Sequence, residues 1–413
     1  MTLDRRTFLH LGGASFVPWL IPGVELWAMN EDSSDKSAIG ARLQDRILIL
    51  VELQGGNDGL NTVVPFRNER YKQLRPKIGL KPKNIIELES HLGINSALAP
   101  LTEAWEDGDA CWILGLGYPK PNRSHFRSIE IWETGSDSDE EIADGWLARM
   151  LKDHSDPHRA ADGIVIGGGD TGPLFGNDLR VLNMDDPEDF SKQARTVPEV
   201  AQGKDARKAL EHLIEVQKDI KKAAGIIDDK IKSGPNHGVR FPDTRFGRRC
   251  SVAADLVASG VPCPVIKLSI GGFDTHSDQL NKHSRLLAEL SGGLSALRQA
   301  LKATGIWERS LISTYSEFGR RARENGSQGT DHGTAAPHLV MGGAVQGGFA
   351  GRYPDLGKLD KDDLIHTTDY RRLYATIEQK WFELPPREDV ARGAKPLEIL
   401  KTVAKSPNST SGK

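Results

Sequence analysis

The sequence predicts an α/β fold, a three-layer α/β/α sandwich around a mainly parallel sheet, with a helical insertion. Short apolar segments alternate with loops and amphipathic helical segments along most of the chain. Many of the 43 glycines directly follow the apolar segments, as expected where buried strands pass into loops that build a site. Residues 185–244 interrupt this alternation with a charged segment of helical periodicity, which predicts the insertion.

The predicted elements follow from apolar periodicity and from helix start signals. Residues 46–53, 110–116, 163–166, 264–270, 311–315 and 338–341 are predicted as strands. Residues 245–259, 286–304 and 367–382 are predicted as helices, with one more beginning near Ser124, an interrupted helical region at 84–108, and Thr368 or Asp369 capping the last helix. Motifs at the carboxyl ends of these strands are candidates for a ligand site.

The composition is that of a soluble globular protein. The chain has 413 residues, of which 38% are hydrophobic and 27% charged. A net charge of −3 without a long basic block gives no reason to expect nucleic-acid binding. Cys111, Cys250 and Cys263 form no metal-ligand pattern, and we expect buried free thiols, with a Cys250–Cys263 bridge as the alternative in an exported protein.

The amino terminus has the composition of an export signal. Arg5 and Arg6 precede Thr-Phe-Leu and a weakly apolar stretch, and they resemble the twin-arginine signal; an amphipathic first helix is the alternative. Pro18 and Pro22 argue against a retained membrane span, so the mature protein is predicted to be periplasmic or secreted. The predicted organisation is a signal segment 1–30, an α/β domain 40–400 with an insertion or cap at 185–244, and a disordered tail 405–413.

Four motifs at predicted strand ends carry side chains of the types that bind metal ions. They are Asp58 in Asn-Asp-Gly, Asp274 and His276 in Asp-Thr-His, Glu317 and Arg320 in Ser-Glu-Phe-Gly-Arg, and Asp331, His332 and His338 in the run 329–338. Each motif alone also fits a turn, a loop hydrogen bond, an ion pair or a buried histidine. Their joint occurrence favours a hydrolytic site with two metal ions.

The same motifs resemble a known family. GGNDGLNTVVP, NRSHFRSIEIWETG, GGFDTHSDQ, SEFGRR and GTDHG, in this order, are similar to the exported proteins of the domain-of-unknown-function family numbered fifteen hundred and one. Similarity places that family in the alkaline phosphatase superfamily, with sulfatases and cofactor-independent phosphoglycerate mutases. The resemblance spans residue 47 to about 384. It implies an alkaline phosphatase-like fold, a pair of divalent ions, zinc or manganese, and phosphate or sulfate ester chemistry with a hydroxyl nucleophile.

The resemblance also implies a ligand set. Asp58, Asp331 and His332 would hold one ion, and Asp274, His276 and His338 the other, with His366 in reserve. The superfamily usually has a histidine four residues after the aspartate of the second site. This chain has Asp278 there, and His276 stands in its place.

The resemblance places the nucleophile at the start of the helix after the second strand. Ser124 lies there, where helix amides stabilise an anion, and Arg123 would hold the ester. Ser128 is the competitor, and Ser124 as a simple helix cap is the other alternative. The residues after Ser124 do not match the motif of sulfatases that use a modified residue. Glu317 and Arg320 would position ligands or substrate.

The sequence thus predicts an exported metal-dependent hydrolase acting on a small anionic phosphate or sulfate ester. The alternative is an exported binding or assembly protein that keeps the superfamily fold without turnover; its protein partners are unknown. A metal-independent serine esterase is disfavoured because the chain contains no Gly-x-Ser-x-Gly motif.

Overall fold

The computed structural model of the protein describes residues 43, 45–154, 156–176, 179–196 and 208–401, and for residues 208–215 only the backbone. The predicted signal segment 1–30 and tail 405–413 lie outside these residues. Within the described part of the chain, no helix is long and apolar enough to cross a bilayer.

The described strands form one large sheet and two small ones. In chain order they are β1 (Ile47–Gln54), β2 (Val63–Val64), β3 (Ile85–Glu87), β4 (Gly93–Asn95), β5 (Ala110–Gly117), β6 (Gly163–Ile166), β7 (Val181–Met184), β8 (Val265–Gly271), β9 (Ser310–Tyr315), β10 (Ala336–Met341), β11 (Gly348–Gly351), β12 (Leu359–Asp360), β13 (Asp363–Leu364) and β14 (Thr368–Asp369). The large sheet has the order β11-β5-β10-β9-β1-β8-β6-β7, and β14 also pairs with β5.

The α-helices lie mainly between these strands. They are α1 (Glu69–Leu74), α2 (Thr102–Glu106), α3 (His125–Thr134), α4 (Trp146–Leu151), α5 (Pro187–Thr196), α6 (Lys208–Ser233), α7 (Arg245–Ala258), α8 (Gln279–Ala303), α9 (Arg371–Thr376) and α10 (Glu388–Ala391). Short 3₁₀ turns occur at Gly59–Asn61, Pro82–Asn84, Ser96–Leu101, Lys152–His154, Gly172–Leu174 and Trp307–Arg309, and a π-helical turn at Ile377–Trp381.

The predicted three-layer α/β architecture is confirmed. Side chains alternate across β1, so Ile49, Val51 and Leu53 pack with α7 and α8 on one face of the sheet. Leu48 and Leu50 pack with α3, α4 and α9 on the other face. The pairs between β1, β6, β7, β8 and β9 are parallel, and these strands are apolar because both of their faces are covered.

Helices α5 and α6 lie in the predicted helical insertion. That they form a separate cap over the sheet stays a prediction. The three cysteines are buried and free, so the alternative bridge does not form.

Two local predictions need correction. Residues 84–108 contain β3 and β4 as well as short helical turns. The prediction missed these two strands because three residues are too few for the periodicity of a strand to be recognised. The closing helix begins at Arg371 rather than at 367, because Thr368 and Asp369 pair with β5 as β14. The Asp369 side chain still accepts a hydrogen bond from the Arg371 amide (3.0 Å), as a residue at a helix start does.

Strand β10 runs antiparallel to both of its neighbours in the described sheet, β5 and β9. Its amino end therefore lies at the edge where the parallel strands end. His338, its third residue, faces the same side as Val340 and packs edge-on against Trp132, with 5.2 Å between ring centroids. The His338 ring is buried, and neither ring nitrogen makes a hydrogen bond within the described residues. The predicted second metal site thus lacks His338, because the strand directs this side chain into the apolar core.

Replacing His338 should change how stability depends on pH. Burial lowers the pKa of His338 to about 3, whereas an unfolded histidine titrates near pH 6.5. Between about pH 6.5 and pH 3, His338 is therefore protonated in the unfolded chain but not in the folded chain. The free energy of unfolding falls as the pH decreases through this range. Between pH 8 and pH 5 this loss is on the order of 2 kcal/mol. His338→Leu should remove it.

Urea unfolding of wild type and His338→Leu at pH 8 and pH 5 measures this difference. Exposed His91→Leu controls for the loss of a histidine as such. An equal loss of stability between the two pH values in wild type and His338→Leu would contradict the placement of His338 in the core.

Candidate metal centre

Three neighbouring parallel strands bring the predicted motifs to one edge of the sheet. β1 lies between β8 and β9, so the loops that follow these three strands start side by side. Gly55 lets the first loop turn sharply, because its φ of +112° suits only glycine and a Cβ there would collide with the Asp274 backbone. A fourth segment is tied to the third loop by an antiparallel bridge between Arg320 and His332.

Three histidines and one aspartate converge at this edge. Ligand atoms of His125, Asp274 and His332 all lie within 4.8 Å of one another. His276 joins them, since its Nε2 lies 3.0 Å from Asp274 Oδ1 and 3.0 Å from His332 Nε2. His332 Nε2 lies 3.2 Å from Asp274 Oδ1, and His125 Nε2 lies 3.7 Å from Asp274 Oδ2.

Each of the three imidazoles is held at its other nitrogen. His332 Nδ1 donates to the Arg123 carbonyl oxygen (2.9 Å), His125 Nδ1 lies 2.9 Å from Glu317 Oε1, and His276 Nδ1 lies 3.4 Å from Asp331 Oδ1. These contacts favour the tautomer with the proton on Nδ1. Every Nε2 then carries a lone pair directed towards Asp274, which is the arrangement of histidines that bind a metal ion.

We call His125, Asp274, His276 and His332 the metal cluster; within it, His125, Asp274 and His332 are grouped closely enough to share one ion, and His276 lies beside Asp274 and His332. Three lone pairs and a carboxylate repel one another unless a proton or a cation lies between them, and burial lowers the pKa of His332, which opposes the proton. Tetrahedral ligands at zinc–nitrogen bond lengths stand about 3.3 Å apart. The 3.0 and 3.2 Å contacts of His276 and His332 with Asp274 Oδ1 lie near that value, and the 3.7 Å contact joins His125 to the other oxygen, Oδ2. The cluster could therefore hold a metal ion.

Arg320 and Glu317 support the metal cluster from the third loop. The buried Arg320 guanidinium donates to Asp274 Oδ1 (2.6 Å) and to the Gly56 carbonyl oxygen (3.0 Å). Burial alone would raise the pKa of Asp274, but the charge and hydrogen bond of Arg320 hold it below its usual value. Glu317 Oε1 accepts the Gly55 amide (2.8 Å) as well as His125, so it orients a histidine.

Asp58 lies outside the metal cluster, although it is predicted to share an ion with Asp331 and His332. Its carboxylate is fully buried and paired with Arg75, whose Nη1 lies 2.5 Å from Oδ2 and whose Nη2 lies 2.8 Å from Oδ1. Gln279 Nε2 also donates to Oδ2. Burial would raise the pKa of Asp58, but Arg75 more than offsets it and the pKa is lowered. A buried carboxylate needs a cation, and here a guanidinium supplies it.

Asp331 and Asp278 also have positions that the ligand prediction did not foresee. The half-exposed Asp331 accepts from Asn325 Nδ2 (3.2 Å) and contacts the Nδ1 side of His276, so it orients that ring. Asp278 precedes α8 as its N-cap in the left-handed conformation, with φ of 47°. His276, two residues earlier, lies at the metal cluster, and its predicted role in place of the missing histidine stays a prediction.

Ser124 and Ser128 differ in what their hydroxyls do. Ser124 is the exposed N-cap residue of α3, but its side chain makes no capping hydrogen bond. Its amide instead donates to Asn122 Oδ1 (2.8 Å). Ser128 is buried, and its Oγ donates to the Asn122 carbonyl oxygen (2.8 Å). The hydroxyl of Ser128 therefore stabilises the turn, whereas that of Ser124 is left at the surface beside His125.

A cavity of about 290 Å³ has in its wall Phe318, which contacts the metal cluster, although no residue of the metal cluster lines the cavity. Tyr118, Asn122, Phe318, Leu364 and His366 contribute to its walls. The Phe318 ring also stacks on His332, with 4.7 Å between centroids, and lies 5.0 Å from the His125 ring. His366, the reserve ligand, thus lines the cavity. The Arg123 side chain is paired with buried Asp363, which lies in the same wall.

Sequence reasoning missed His125 as a candidate ligand. The residue follows Ser124 directly and is the first residue of α3. A histidine at the start of a helix, just after the carboxyl end of a strand, was the available signal. The prediction assigned that helix start to the nucleophile alone.

Several solved structures share a weak likeness with this chain. Ps i-CgsB in complex with k-i-k-neocarrahexaose has 12% identity and a TM-score of 0.42, covering 85% of this chain and 75% of that one. The C-terminal periplasmic domain of EcEptC from Escherichia coli, in complex with Zn, has 8% identity and a TM-score of 0.37, covering 72% and 73%. A protein in the alkaline phosphatase superfamily from Vibrio parahaemolyticus has 10% identity and a TM-score of 0.37, covering 88% and 78%.

No curated protein matches this chain significantly. A family model does match, over residues 116–388, which is well over half of the chain. The resemblance that the sequence motifs predict is thereby confirmed, and the chain belongs to the family described as Protein of unknown function (DUF1501).

Proposed function

We propose that this protein is an exported hydrolase of a phosphate or sulfate ester that depends on one divalent metal ion. The observation that carries the proposal is the convergence of three histidine Nε2 atoms on Asp274, each ring being held at Nδ1 by an oxygen. Zinc suits a set of three imidazoles and one carboxylate better than manganese, which favours oxygen ligands. Export rests on the twin-arginine motif alone.

One ion agrees with the geometry better than the two that the family resemblance implies. Among the described residues, the metal cluster draws on side chains predicted for both sites, whereas Asp58 is paired with Arg75 and His338 is buried against Trp132. The Asp58 carboxylate already has a cation in Arg75. Displacing that guanidinium would leave a buried charge unpaired, which typically costs 3–5 kcal/mol.

The bound ion would supply Lewis-acid stabilisation of the negative charge that develops on the ester. Ser124 Oγ, which does not cap its helix, would attack phosphorus or sulfur while the bond to the ester oxygen breaks, and the proton of the serine hydroxyl would pass through solvent to the departing alcohol. The free amides of the first turn of α3, a helix of ten residues, would stabilise the anion. Water would then hydrolyse the serine ester and release phosphate or sulfate.

The cavity beside the metal cluster would receive the organic part of the substrate. Its walls combine apolar surface from Tyr118, Phe318 and Leu364 with a few polar groups, the combination usual for small-molecule sites. Phe318 lies in the cavity wall and also stacks on His332. A substrate could thus place its anionic group at the metal cluster and its alcohol in the cavity.

A second candidate function is an exported binding protein without turnover. One observation favours it: among the described residues, no histidine or carboxylate hydrogen bonds to Ser124 Oγ, as a general base for its attack would. Such a protein would keep the metal ion and bind an anionic ligand.

The purified protein should contain about one zinc ion per chain. Asp274→Asn and His332→Gln each remove a ligand and should abolish tight binding, whereas Glu317→Gln removes the negative charge that supports His125 and should weaken zinc binding about 10–100-fold. Elemental analysis and titration with a competing chelator measure both effects. His338→Leu is the control, and it should keep full zinc content. A wild type that is folded and free of metal after exposure to zinc, manganese and calcium would overturn the metal centre.

Activity should depend on Ser124. Against a panel of aryl phosphates, phosphodiesters and aryl sulfates, Ser124→Ala should lower kcat by at least about 10³-fold, because it removes the nucleophile. Ser128→Ala should keep most of the activity, since that hydroxyl serves the turn. Zinc content must be equal in both variants. Turnover that survives in Ser124→Ala would exclude Ser124 as the nucleophile, and silence of the metal-loaded wild type on every substrate would favour the binding function.

A further inference from the structure

Gln279, the first residue of α8, joins the two loops that carry most of the metal cluster. It is fully buried, and its Oε1 accepts hydrogen bonds from Thr275 Oγ1 (3.1 Å) and Thr330 Oγ1 (2.6 Å). Thr275 lies between Asp274 and His276, and Thr330 lies just before Asp331 and His332. One amide oxygen therefore bonds to both ligand loops.

The backbones of the two loops meet at the same point. The Thr330 amide donates to the Thr275 carbonyl oxygen at 3.3 Å. Gly329 allows this approach, because a Cβ there would collide with the backbone of His276. Other hydrogen bonds also join these two segments, from the Gln279 amide to the Gln328 carbonyl oxygen (3.0 Å) and from Asn325 Nδ2 to the His276 carbonyl oxygen (3.0 Å). The Gln279 side chain adds to them the bonds to the threonines that lie directly beside the ligand residues.

The other end of Gln279 is fixed by Asp58. Gln279 Nε2 donates to Asp58 Oδ2, and the Asp58 carboxylate is itself held by both terminal nitrogens of Arg75. An ionised carboxylate only accepts hydrogen bonds, so it determines which end of the amide carries the NH₂ group. The amide oxygen is thus directed at the two threonines. Arg75 Nε also donates to the Ala322 carbonyl oxygen (2.9 Å), which anchors this chain of contacts to the third loop.

We propose that Gln279, oriented by the Asp58–Arg75 ion pair, is a positioning residue that presets the metal cluster for its ion. Its side chain hydrogen bonds to Thr275, Thr330 and Asp58 and to no residue of the metal cluster, so it acts through the two threonines. Two ligand loops that are already in register lose less conformational freedom when the ion binds. The inference rests on the metal centre of the proposed function but not on any hydrolytic activity.

The sharpest test is a matched pair of substitutions at Thr330. Thr330→Val keeps the shape of the side chain but loses the hydroxyl, whereas Thr330→Ser keeps the hydroxyl. Zinc titrations of the full-length, metal-depleted protein against a chromophoric chelator should show affinity reduced about 10–100-fold in Thr330→Val and nearly unchanged in Thr330→Ser. Gln279→Leu should match or exceed the loss in Thr330→Val.

A control separates this role from general stability. Ser291→Ala removes another side-chain hydroxyl bond, from Ser291 Oγ to the Ala97 carbonyl oxygen (2.8 Å), far from the ligand loops in sequence. It should lower the thermal stability of the metal-free protein without lowering zinc affinity. If Gln279→Leu fails to fold, the Thr330 pair still decides the matter.

The outcomes distinguish this inference from the proposed function. Wild type that binds zinc, with Thr330→Val binding equally tightly, would overturn the positioning role and leave the metal centre intact. Wild type that binds no divalent ion would overturn both.

Discussion

The parallel pairing of β8, β1 and β9 is the constraint on which the candidate site depends. Because neighbouring parallel strands end at the same edge, their loops must share one small volume. Each of these three loops carries a carboxylate, and a buried arginine lies between them. The contacts of Arg320 with Asp274 and of Glu317 with His125 join segments that are far apart in sequence.

The two aspartate carboxylates at this edge of the sheet are neutralised in different ways. Asp58 is completely buried, and Arg75 neutralises its charge through two parallel contacts. The two contacts together fix the orientation of the carboxylate. Asp274 remains partly exposed, has one arginine on one side and faces three imidazole nitrogens on the other. The first aspartate is structural and the second is available to a ligand, although both follow a strand and a glycine-rich turn.

Much of the fold was predictable, and the reasons are local. Strands such as 163–166 and 110–116 are apolar runs bounded by glycine and were predicted to within a residue, because a strand covered on both faces must be apolar throughout. Strands β3 and β4 have only three residues each and therefore show no recognisable apolar run. The loops that carry Asp274, His276, Asp331 and His332 were predicted to form a site, and those four side chains do lie together.

The sequence by itself determined the fold class, the family and the loops from which a metal site could be built, since these follow from apolar periodicity and from residue types at strand ends. Only the tertiary structure decided which side chains meet. Asp58 and Asp274 have similar sequence surroundings but different roles, because Arg75 pairs with Asp58. Arg75 lies 17 residues after Asp58 in the sequence. His338 was lost to the core because it faces the same side of β10 as Val340 and packs on Trp132, and His125 was gained because α3 begins beside Asp274. Such contacts depend on distances between separate loops, and no spacing along the chain encodes them.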